Sequence, residues 1–337
     1  MQRVNEGPRD RTRRICDDNA QTVRALVVSH MAPSPEDPAR GAFVRTQVAA
    51  LRRAGGADVE LVEYRPGAAS YLTAARELRR MDGYDIVHAH FGLTAWPALA
   101  VRGAKHAVTL HGTDVRNPRS WRITKAALGR LDLVAAVSEE LAQAVRDQRP
   151  GTDVKVLPIG VDLERFQPLD RVECRARLGL DADAALALLP ADPARPEKRA
   201  DRAREAAERA GAQLLTLGNV PPDEVPSWVN AADVVLVPSE REGFGLAVLE
   251  ALACDVPVVA TPVGVHPEAL DGIAGTLCAT FEPDLWGAAI RDAPPRIGGR
   301  ERAARWGADA MAQRVIDAWR SLVDSNDEAP GTGVSVS

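Results

Sequence analysis

Short apolar runs alternate along this chain with longer segments of helical periodicity. The runs are rich in Val, Leu and Ala and do not alternate with polar residues, which is typical of parallel strands buried on both faces. The predicted strands lie at residues 25–29, 59–64, 86–90, 107–110, 133–137, 154–157, 185–189, 213–217, 234–237 and 256–260. Helices with apolar residues three and four positions apart occupy the intervals between them. The alternation predicts an α/β protein with doubly wound sheets.

The strand and helix pattern runs twice, which predicts two domains in a chain of 337 residues. The segment 159–169 lacks periodicity and separates the two runs as a linker. A final helix is predicted over residues 300–323. We predict a disordered leader at residues 1–22, an N-terminal domain at 23–160, a C-terminal domain at 161–322 and a disordered tail at 323–337.

Composition narrows the class of protein only slightly. A hydrophobic content of 45% and a charged content of 26% are ordinary for a globular domain, and the net charge of −5 does not indicate a nucleic-acid partner. We find no apolar run long enough to span a membrane and no signal peptide, so we expect a cytoplasmic protein, with peripheral attachment to the inner face of the membrane left open. The four cysteines lack metal-ligand spacing, which favours free thiols.

The loop after the strand at residues 234–237 carries the first candidate site. In open parallel sheets, ligands bind at the carboxyl ends of the strands. Gly243 and Gly245 let the backbone approach a ligand closely, and the start of the following helix offers N–H groups to a phosphate. Glu242 and Glu250 would repel phosphate, so they either accept hydrogen bonds from sugar hydroxyls or serve as a helix-capping and a solvated glutamate. Their spacing alone does not decide between these alternatives.

Five motifs, in order along the chain, then point to one family. The chain resembles the GT-B glycosyltransferases, in particular the retaining family 4 with its group 1 domain, including transferases of the teichuronic-acid type. The most specific motif runs from Glu242 to Glu250 and fits the pattern E-x7-E. The other matching segments are residues 85–90 (DIVHAH), 108–114 (VTLHGTD), 137–138 (VS) and 158–162 (PIGVD) with Phe166.

The resemblance implies two Rossmann-like domains that face each other across a cleft, with the last helix crossing back to the N-terminal domain. It implies a hexosyltransferase that moves a sugar from a UDP- or GDP-linked donor to an acceptor hydroxyl, with the anomeric configuration retained. The acceptor would be a sugar, a lipid-linked glycan or a small molecule, in cell-surface polysaccharide or natural-product biosynthesis. The family needs no cofactor and no essential metal.

The resemblance also assigns roles to individual residues. Arg195 and Lys198 would meet the negative charge that builds on the departing diphosphate, because no metal is there to do so. His111 would donate a hydrogen bond to the donor sugar or the acceptor region. Glu242 would bind sugar hydroxyls, and Glu250 would hold the ribose.

Four further residues are expected to contact the donor, and one is expected on the acceptor side. The backbone at Gly41 would pass close to the phosphates, and the N–H groups of Phe244 and Gly245 would touch phosphate or sugar, with Leu246 beside them at the helix start. His90 is the weaker acceptor-side candidate. His88, on the same strand, is expected to pack in the core.

Other functions stay open at this stage. Relatives commonly end the strand before Arg195 in Gly-Arg, whereas residues 188–192 here contain no glycine. A degenerate binding or scaffold subunit is therefore one alternative, and a sugar-nucleotide epimerase of the same fold is another. Arg195 and Lys198 would then belong to a solvated Arg-rich surface. A Rossmann dehydrogenase is disfavoured because no G-x-G-x-x-G follows the first strand.

Overall fold

The computed structural model describes residues 2–4, 22–35, 37, 39–218 and 220–324. Within them the chain forms two separate sheets, each with helices on both faces. The doubly wound α/β architecture predicted from the sequence is confirmed.

The first sheet has seven strands in the order β1-β3-β2-β4-β5-β6-β7. Its strands β2 to β7 are parallel, and β1 pairs antiparallel with β3 at the edge. The strands are β1 (Gln2–Val4), β2 (Val23–Ser29), β3 (Ala57–Glu63), β4 (Ile86–His90), β5 (Lys105–Leu110), β6 (Leu133–Ala136) and β7 (Lys155–Val156). The helices are α1 (Ala42–Ala54), α2 (Ala68–Leu78), α3 (Ala95–Ala98), α4 (Thr113–Arg116), α5 (Pro118–Leu128) and α6 (Glu139–Gln148).

The second sheet has five parallel strands in the order β12-β11-β10-β8-β9. The strands are β8 (Leu186–Leu189), β9 (Gln213–Thr216), β10 (Val234–Val237), β11 (Val258–Ala260) and β12 (Leu277–Cys278). The helices are α7 (Arg171–Leu178), α8 (Ala200–Ala210), α9 (Val225–Ala231), α10 (Leu246–Ala253), α11 (His266–Leu270), α12 (Pro283–Arg291), α13 (Arg300–Ala304) and α14 (Ala308–Asp324). Single 3₁₀ turns lie at Gly92–Thr94, Pro196–Lys198 and Pro222–Glu224.

Strand β2 illustrates why apolar runs without alternating polar residues form the central strands. Leu26 and Val28 point into a core on one side of the first sheet, whereas Ala25 and Val27 point into a core on the other side. All four side chains are fully buried. A strand that is covered by helices on both faces exposes neither face to water. Apolar and polar residues therefore do not alternate along it.

The last helix crosses back to the first sheet, as the resemblance implies. Helix α14 packs beside α1, and its Trp319 is completely buried in the core on that side of the sheet. The Trp319 indole donates a hydrogen bond to Nδ1 of His88 over 3.0 Å. His88 is thus a core residue, in agreement with the prediction.

Two predictions need correction at the chain ends. Gln2–Val4, inside the predicted disordered leader, forms strand β1, which completes an edge by pairing with β3. Residues 5–21 and the tail beyond Asp324 lie outside the described residues. The predicted single helix at 300–323 is two helices, because the backbone between them pairs with the linker. Val161 N donates to Trp306 O, and Ala308 N donates to Val161 O, each over 2.8 Å.

The linker at Val161 and the segment between α13 and α14 therefore run side by side. A Cβ on Gly160 would lie 2.6 Å from Ala308 Cα, so this approach requires glycine. Arg300 secures the crossing by donating to the carbonyl oxygens of Leu163, Phe166 and Ala253. The predicted limits of the two domains, 23–160 and 161–322, stay predictions.

Candidate active site

A cavity of about 500 Å³ lies where the two halves of the chain meet. The first half contributes the loop after β5, and the second half contributes the loops after β8 and β10. All three loops leave the carboxyl ends of parallel strands, the edge where such sheets bind ligands. The lining residues are His111, Gly112, Thr113, Arg116, Asn117, Pro118, Arg195, Glu197, Lys198, Arg241, Glu242 and Gly243. The four residues expected to carry the chemistry, His111, Arg195, Lys198 and Glu242, are thus brought together.

Lys198 and Glu242 form the most enclosed charged pair of this cavity. Lys198 Nζ donates to Glu242 Oε1 over 2.6 Å, and the two side chains are only 16% and 11% exposed. Burial raises the pKa of Glu242, but the positive charge of Lys198 and the hydrogen bond that Lys198 donates outweigh this rise, so the net pKa lies below the usual value. The carboxylate is ionised at neutral pH and keeps its second oxygen for a ligand.

Arg195 is placed differently from Lys198. Its side chain is 57% exposed and pairs with Glu197 two residues later, over 2.7 Å. An exposed pair of this kind is weak, so the guanidinium can leave Glu197 for a stronger anion at little cost. Arg195 therefore remains available at the rim of the cavity, while Lys198 is held inside it.

The loop that carries His111 is held by a buried carboxylate. Asp114 is only 3% exposed and accepts hydrogen bonds from the backbone N–H groups of His111, Gly112 and Gly92. Burial raises the pKa of Asp114, and these N–H bonds oppose that rise. Asp114 lies in the motif at residues 108–114 without a predicted role; its position, three residues after the histidine, is typical of an aspartate that forms a loop.

The two halves touch directly beside the cavity. Ser138, the N-cap of α6, donates from Oγ to Gly243 O over 3.0 Å, and Gly264 N donates to Glu140 over 3.2 Å. Gly243 itself lies against the loop after β5, since a Cβ at that position would fall 2.0 Å from His111 O. These contacts join the two halves of the chain at the edge of the cavity.

The Gly243 contact gives a first prediction. Gly243→Ala should lower turnover by about tenfold or more, because the added Cβ forces the loops of the two halves apart by more than a rotamer change can absorb. Steady-state kinetics of the purified variant measure the effect. Gly298→Ala is the matched control, since a Cβ there meets nothing within 4 Å. Full turnover in Gly243→Ala would show that the close approach of these two loops is not needed for catalysis.

Glu250 lies outside the cavity lining, one turn into α10. The structure rules out the capping alternative for the motif, because α10 begins after Gly245 with no side-chain cap. Glu250 is half-buried rather than solvated. Burial raises its pKa to about 7, and the positive charges of Arg165 and Lys198 offset only part of this rise.

The remaining residues predicted to contact the donor are not among those that line the cavity. Gly41 starts α1 with φ of 69°, and a Cβ there would lie 2.4 Å from Met31 O. Phe244 is buried and accepts a hydrogen bond from Val265 N. Gly245 has φ of 108°, and a Cβ added to this residue would lie 2.5 Å from Nε2 of the His266 ring. Leu246 is half-buried at the start of α10.

His90 is completely buried and does not reach the cavity. Its Nδ1 lies 3.0 Å from Nε2 of His111, which does line the cavity. Any part that His90 has in the site is therefore exerted through His111. The acceptor-side role expected for His90 stays a prediction.

A second cavity, of about 440 Å³, opens in the first half of the chain. It is lined by Ala32, Pro33, Glu63, Tyr64, Arg65, Ala69, Ser70, Thr73 and Ala74. Glu63 is buried there and pairs with Arg45 over 3.3 Å. No common sequence motif indicates this cavity, because its lining residues follow β2, lie at or after the end of β3, or lie in α2.

The described residues contain neither a membrane-spanning helix nor a cluster of metal ligands. None of their helices is long and apolar enough to cross a membrane. They also contain no group of three or more His, Cys, Asp or Glu side chains that could hold a metal ion. Cys174, Cys254 and Cys278 are free thiols.

Comparison with solved structures places the fold among the GT-B glycosyltransferases. Sucrose-phosphate synthase from Thermosynechococcus elongatus superposes with a TM-score of 0.66 at 19% identity, over 90% of this chain and 100% of that one. Anabaena Alr3699/HepE in complex with UDP and glucose superposes with a TM-score of 0.67 at 17% identity, over 89% of this chain and 100% of that one. The two facing sheets and the crossing helix are thus a GT-B arrangement.

Sequence comparison identifies the family. Residues 19–165 match the model described as Glycosyltransferase Family 4, and residues 170–293 match the model described as Glycosyl transferases group 1. The putative teichuronic acid biosynthesis glycosyltransferase TuaC of Bacillus subtilis is 30% identical over 261 residues, 64% of this chain and 67% of that protein. A D-inositol 3-phosphate glycosyltransferase of Saccharomonospora viridis is 33% identical over 300 residues, 72% of this chain and 68% of that protein. The chain belongs to this glycosyltransferase family and is a transferase of the hexosyl type.

Proposed function

We propose that this protein transfers a hexosyl group from a nucleoside diphosphate donor to an acceptor hydroxyl, with retention of anomeric configuration and without a metal ion. The acceptor is a sugar or glycoconjugate of the cell surface. The observation that carries the proposal is the cavity between the two halves, where Lys198 and Arg195 face His111 beside the ionised Glu242.

The chemistry follows from the charges in that cavity. When the sugar leaves the nucleotide, negative charge builds on the β-phosphate, and fixed cations close by lower the barrier. Lys198 supplies a point charge, and Arg195 can grip two phosphate oxygens at once. Glu242 would accept hydrogen bonds from sugar hydroxyls with the oxygen that Lys198 leaves free. The departing phosphate would take the acceptor proton, so no nucleophile from the protein is required.

Relatives support the choice of donor and acceptor classes. The Anabaena Alr3699/HepE structures contain UDP, UDP with glucose, or UDP-glucose, which favours a UDP-sugar here over a GDP-sugar. The names of the similar proteins divide between teichuronic acid biosynthesis and inositol 3-phosphate glycosylation. We place a cell-surface glycan first as the acceptor class, in keeping with the teichuronic acid relative.

A panel of sugar nucleotides tests the proposal. We expect one UDP- or GDP-sugar to raise the melting temperature of the protein and to be hydrolysed slowly when no acceptor is present. Addition of candidate acceptors should then convert hydrolysis into transfer. A protein that neither binds nor cleaves any member of the panel would instead be a binding or scaffold subunit of the same fold.

Metal independence gives a second prediction. Turnover should be unchanged when EDTA is added, because Lys198 and Arg195 supply the positive charge that a divalent ion would otherwise bring to the diphosphate. Initial rates with EDTA and with added magnesium measure this. A strict requirement for a divalent ion would contradict the proposed mechanism, though not the transfer reaction itself.

A further inference from the structure

Three histidines form a row that leads from the core to the cavity. The His88 and His90 rings stack with centroids 5.3 Å apart and an interplanar angle of 15°, and the His90 and His111 rings stack at 5.1 Å and 28°. His88 and His90 are two residues apart on β4, so they lie on the same face of the strand. His111 comes directly after the neighbouring strand β5. Only His111, the last of the three, lines the cavity.

The protonation of the innermost ring can be deduced. The Trp319 indole is a donor only, so Nδ1 of His88, which receives it, carries no proton. The proton of neutral His88 is therefore on Nε2, from which it donates to Thr109 Oγ1 over 2.8 Å. The crossing helix α14 thus fixes the tautomer at one end of the row.

The donor in the hydrogen bond between His90 and His111 can be assigned in two ways. Either His90 donates from Nδ1 to Nε2 of His111, or His111 donates from Nε2 to Nδ1 of His90. The other ring nitrogens, Nε2 of His90 and Nδ1 of His111, are both buried without a hydrogen-bond partner among the described residues. One of these two nitrogens must carry the remaining proton.

The burial of His90 decides between these assignments. An unpaired N–H buried in a protein is rarer and more costly than an unpaired acceptor. If His111 donated, the unpaired N–H would be on His90, which is completely buried and which no ligand reaches. If His90 donates, the unpaired N–H is on His111; its Nδ1 is covered in the ligand-free protein, but His111 lines the cavity, so a bound ligand approaches this residue and not His90.

We propose that His90 is a positioning residue that holds His111 in the Nδ1–H tautomer, so that His111 offers a hydrogen-bond donor to the bound substrate. The aromatic rings of Phe43 and Phe91, whose centroids lie 5.0 and 4.5 Å from that of His111, fix its plane from the sides. The tautomer is inferred from the different burial of His90 and His111; the use of the N–H toward substrate rests on the proposed function.

The rings must be neutral for this arrangement, and their surroundings make them so. Burial lowers the pKa of His111 to about 3, with the neighbouring His88 and His30 adding to the effect. Burial, together with His111 and His88, also holds the pKa of His90 well below its usual value. Each ring therefore carries one proton across the physiological range.

The tautomer can be read directly in the ligand-free protein. Long-range ¹H–¹⁵N correlation spectra of histidine-labelled protein distinguish a protonated from an unprotonated ring nitrogen, and His111→Gln assigns the signals of His111. We expect the proton of His111 on Nδ1. A proton on Nε2 of His111 would overturn the proposal, whatever the protein transfers.

Variants of His90 test the positioning role. His90→Phe keeps a ring but removes the donor, so His111 should shift toward the Nε2–H tautomer and kcat with the donor should fall about tenfold. His90→Asn places an amide N–H near the former Nδ1 and should restore the Nδ1–H tautomer and most of kcat. An unchanged spectrum and unchanged kcat in His90→Phe would overturn the role of His90.

His106→Phe provides the control. His106 is on β5, the strand that leads to His111, and bonds to Val101 O instead of joining the row. Its replacement should leave the His111 signals and kcat as they are. If the sugar-nucleotide panel finds no donor, the spectra still decide the tautomer. If transfer is observed with His111 protonated on Nε2, only the inference about His90 fails.

Discussion

Lys198→Ala should lower turnover of the sugar nucleotide about a hundredfold, the usual effect of losing one aimed donor at a developing oxyanion. Lys198 is the cation that the structure holds inside the cavity, 16% exposed and fixed by Glu242 at 2.6 Å. Arg195, at 57% exposed, is already partly screened by solvent. We therefore expect Arg195→Ala to have the smaller effect of the two, measured as kcat under saturating donor.

The pairing of Lys198 with Glu242 requires a second variant. Lys198→Ala also leaves the Glu242 carboxylate without its partner, which would itself cost stability. Lys198→Ala combined with Glu242→Gln removes the unpaired charge and should recover stability but not turnover. Lys155→Ala, at an exposed lysine of β7, is the control and should leave kcat unchanged. Near-normal turnover in Lys198→Ala would remove the lysine from the mechanism and would favour the scaffold alternative.

Glu250→Gln should stabilise the protein at alkaline pH. The pKa of Glu250 in the folded protein, about 7, lies above its ordinary value of 4.5, so the folded state binds a proton that the unfolded chain has released. Stability is full below the unfolded pKa and falls as pH rises through the folded pKa. At pH 8 the gain for Glu250→Gln should approach about 3 kcal/mol, and at pH 5 it should stay below about 1 kcal/mol.

Urea unfolding at the two pH values measures this difference. Glu205→Gln, at an exposed position of α8, is the matched control and should change stability by a few tenths of a kcal/mol at most at either pH. Equal effects of Glu250→Gln at pH 5 and pH 8 would show that Glu250 is not held in an unfavourable environment.

The same variant should weaken nucleotide binding at pH 8. An ionised carboxylate that accepts ribose hydroxyls contributes about 1.5 to 3 kcal/mol, so affinity should fall by about ten- to a hundredfold in Glu250→Gln. Because the ligand selects the ionised form, binding to the unmodified protein should tighten about tenfold between pH 6 and pH 8 and release a proton. Calorimetry measures both effects, and a pH-independent affinity would place Glu250 outside the donor site.

If both results are obtained, Glu250 destabilises the free protein and binds the ligand, as expected of a residue selected for binding rather than for stability. Marginally stable sites of this kind are common where function needs a buried charge. The predicted gain in stability and loss in affinity therefore belong together, and only their joint appearance supports the ribose-binding role of Glu250.

The sequence is sufficient to predict the fold, and it indicates several residues that the structure brings together in the candidate site. Buried parallel strands have apolar runs that can be recognised locally, and the E-x7-E motif located Glu242 and Glu250 on adjoining parts of one loop and helix. His111, Arg195 and Lys198 were placed by position within similar motifs. All of these signals lie within single segments of the chain.

The contacts between segments could not be predicted in this way. The pairing of Lys198 with Glu242 and the approach of Gly243 to His111 join residues far apart in sequence, and no local pattern encodes them. The break between α13 and α14 depends on hydrogen bonds to Val161, which comes before every strand of the second sheet in the sequence. The burial of His88 likewise depends on Trp319 of α14, a contact that the sequence of β4 does not reveal.

Hydrogen–deuterium exchange with and without the best sugar nucleotide tests most directly whether the donor binds between the two halves. We expect protection in the peptides that contain residues 111–118, 195–198 and 241–250, because the diphosphate and sugar would order the loops around the cavity. Peptides that line the second cavity, at residues 63–74, should be unchanged by the donor alone. Protection confined to residues 63–74, with the loops of the cleft unaffected, would contradict the proposed donor site.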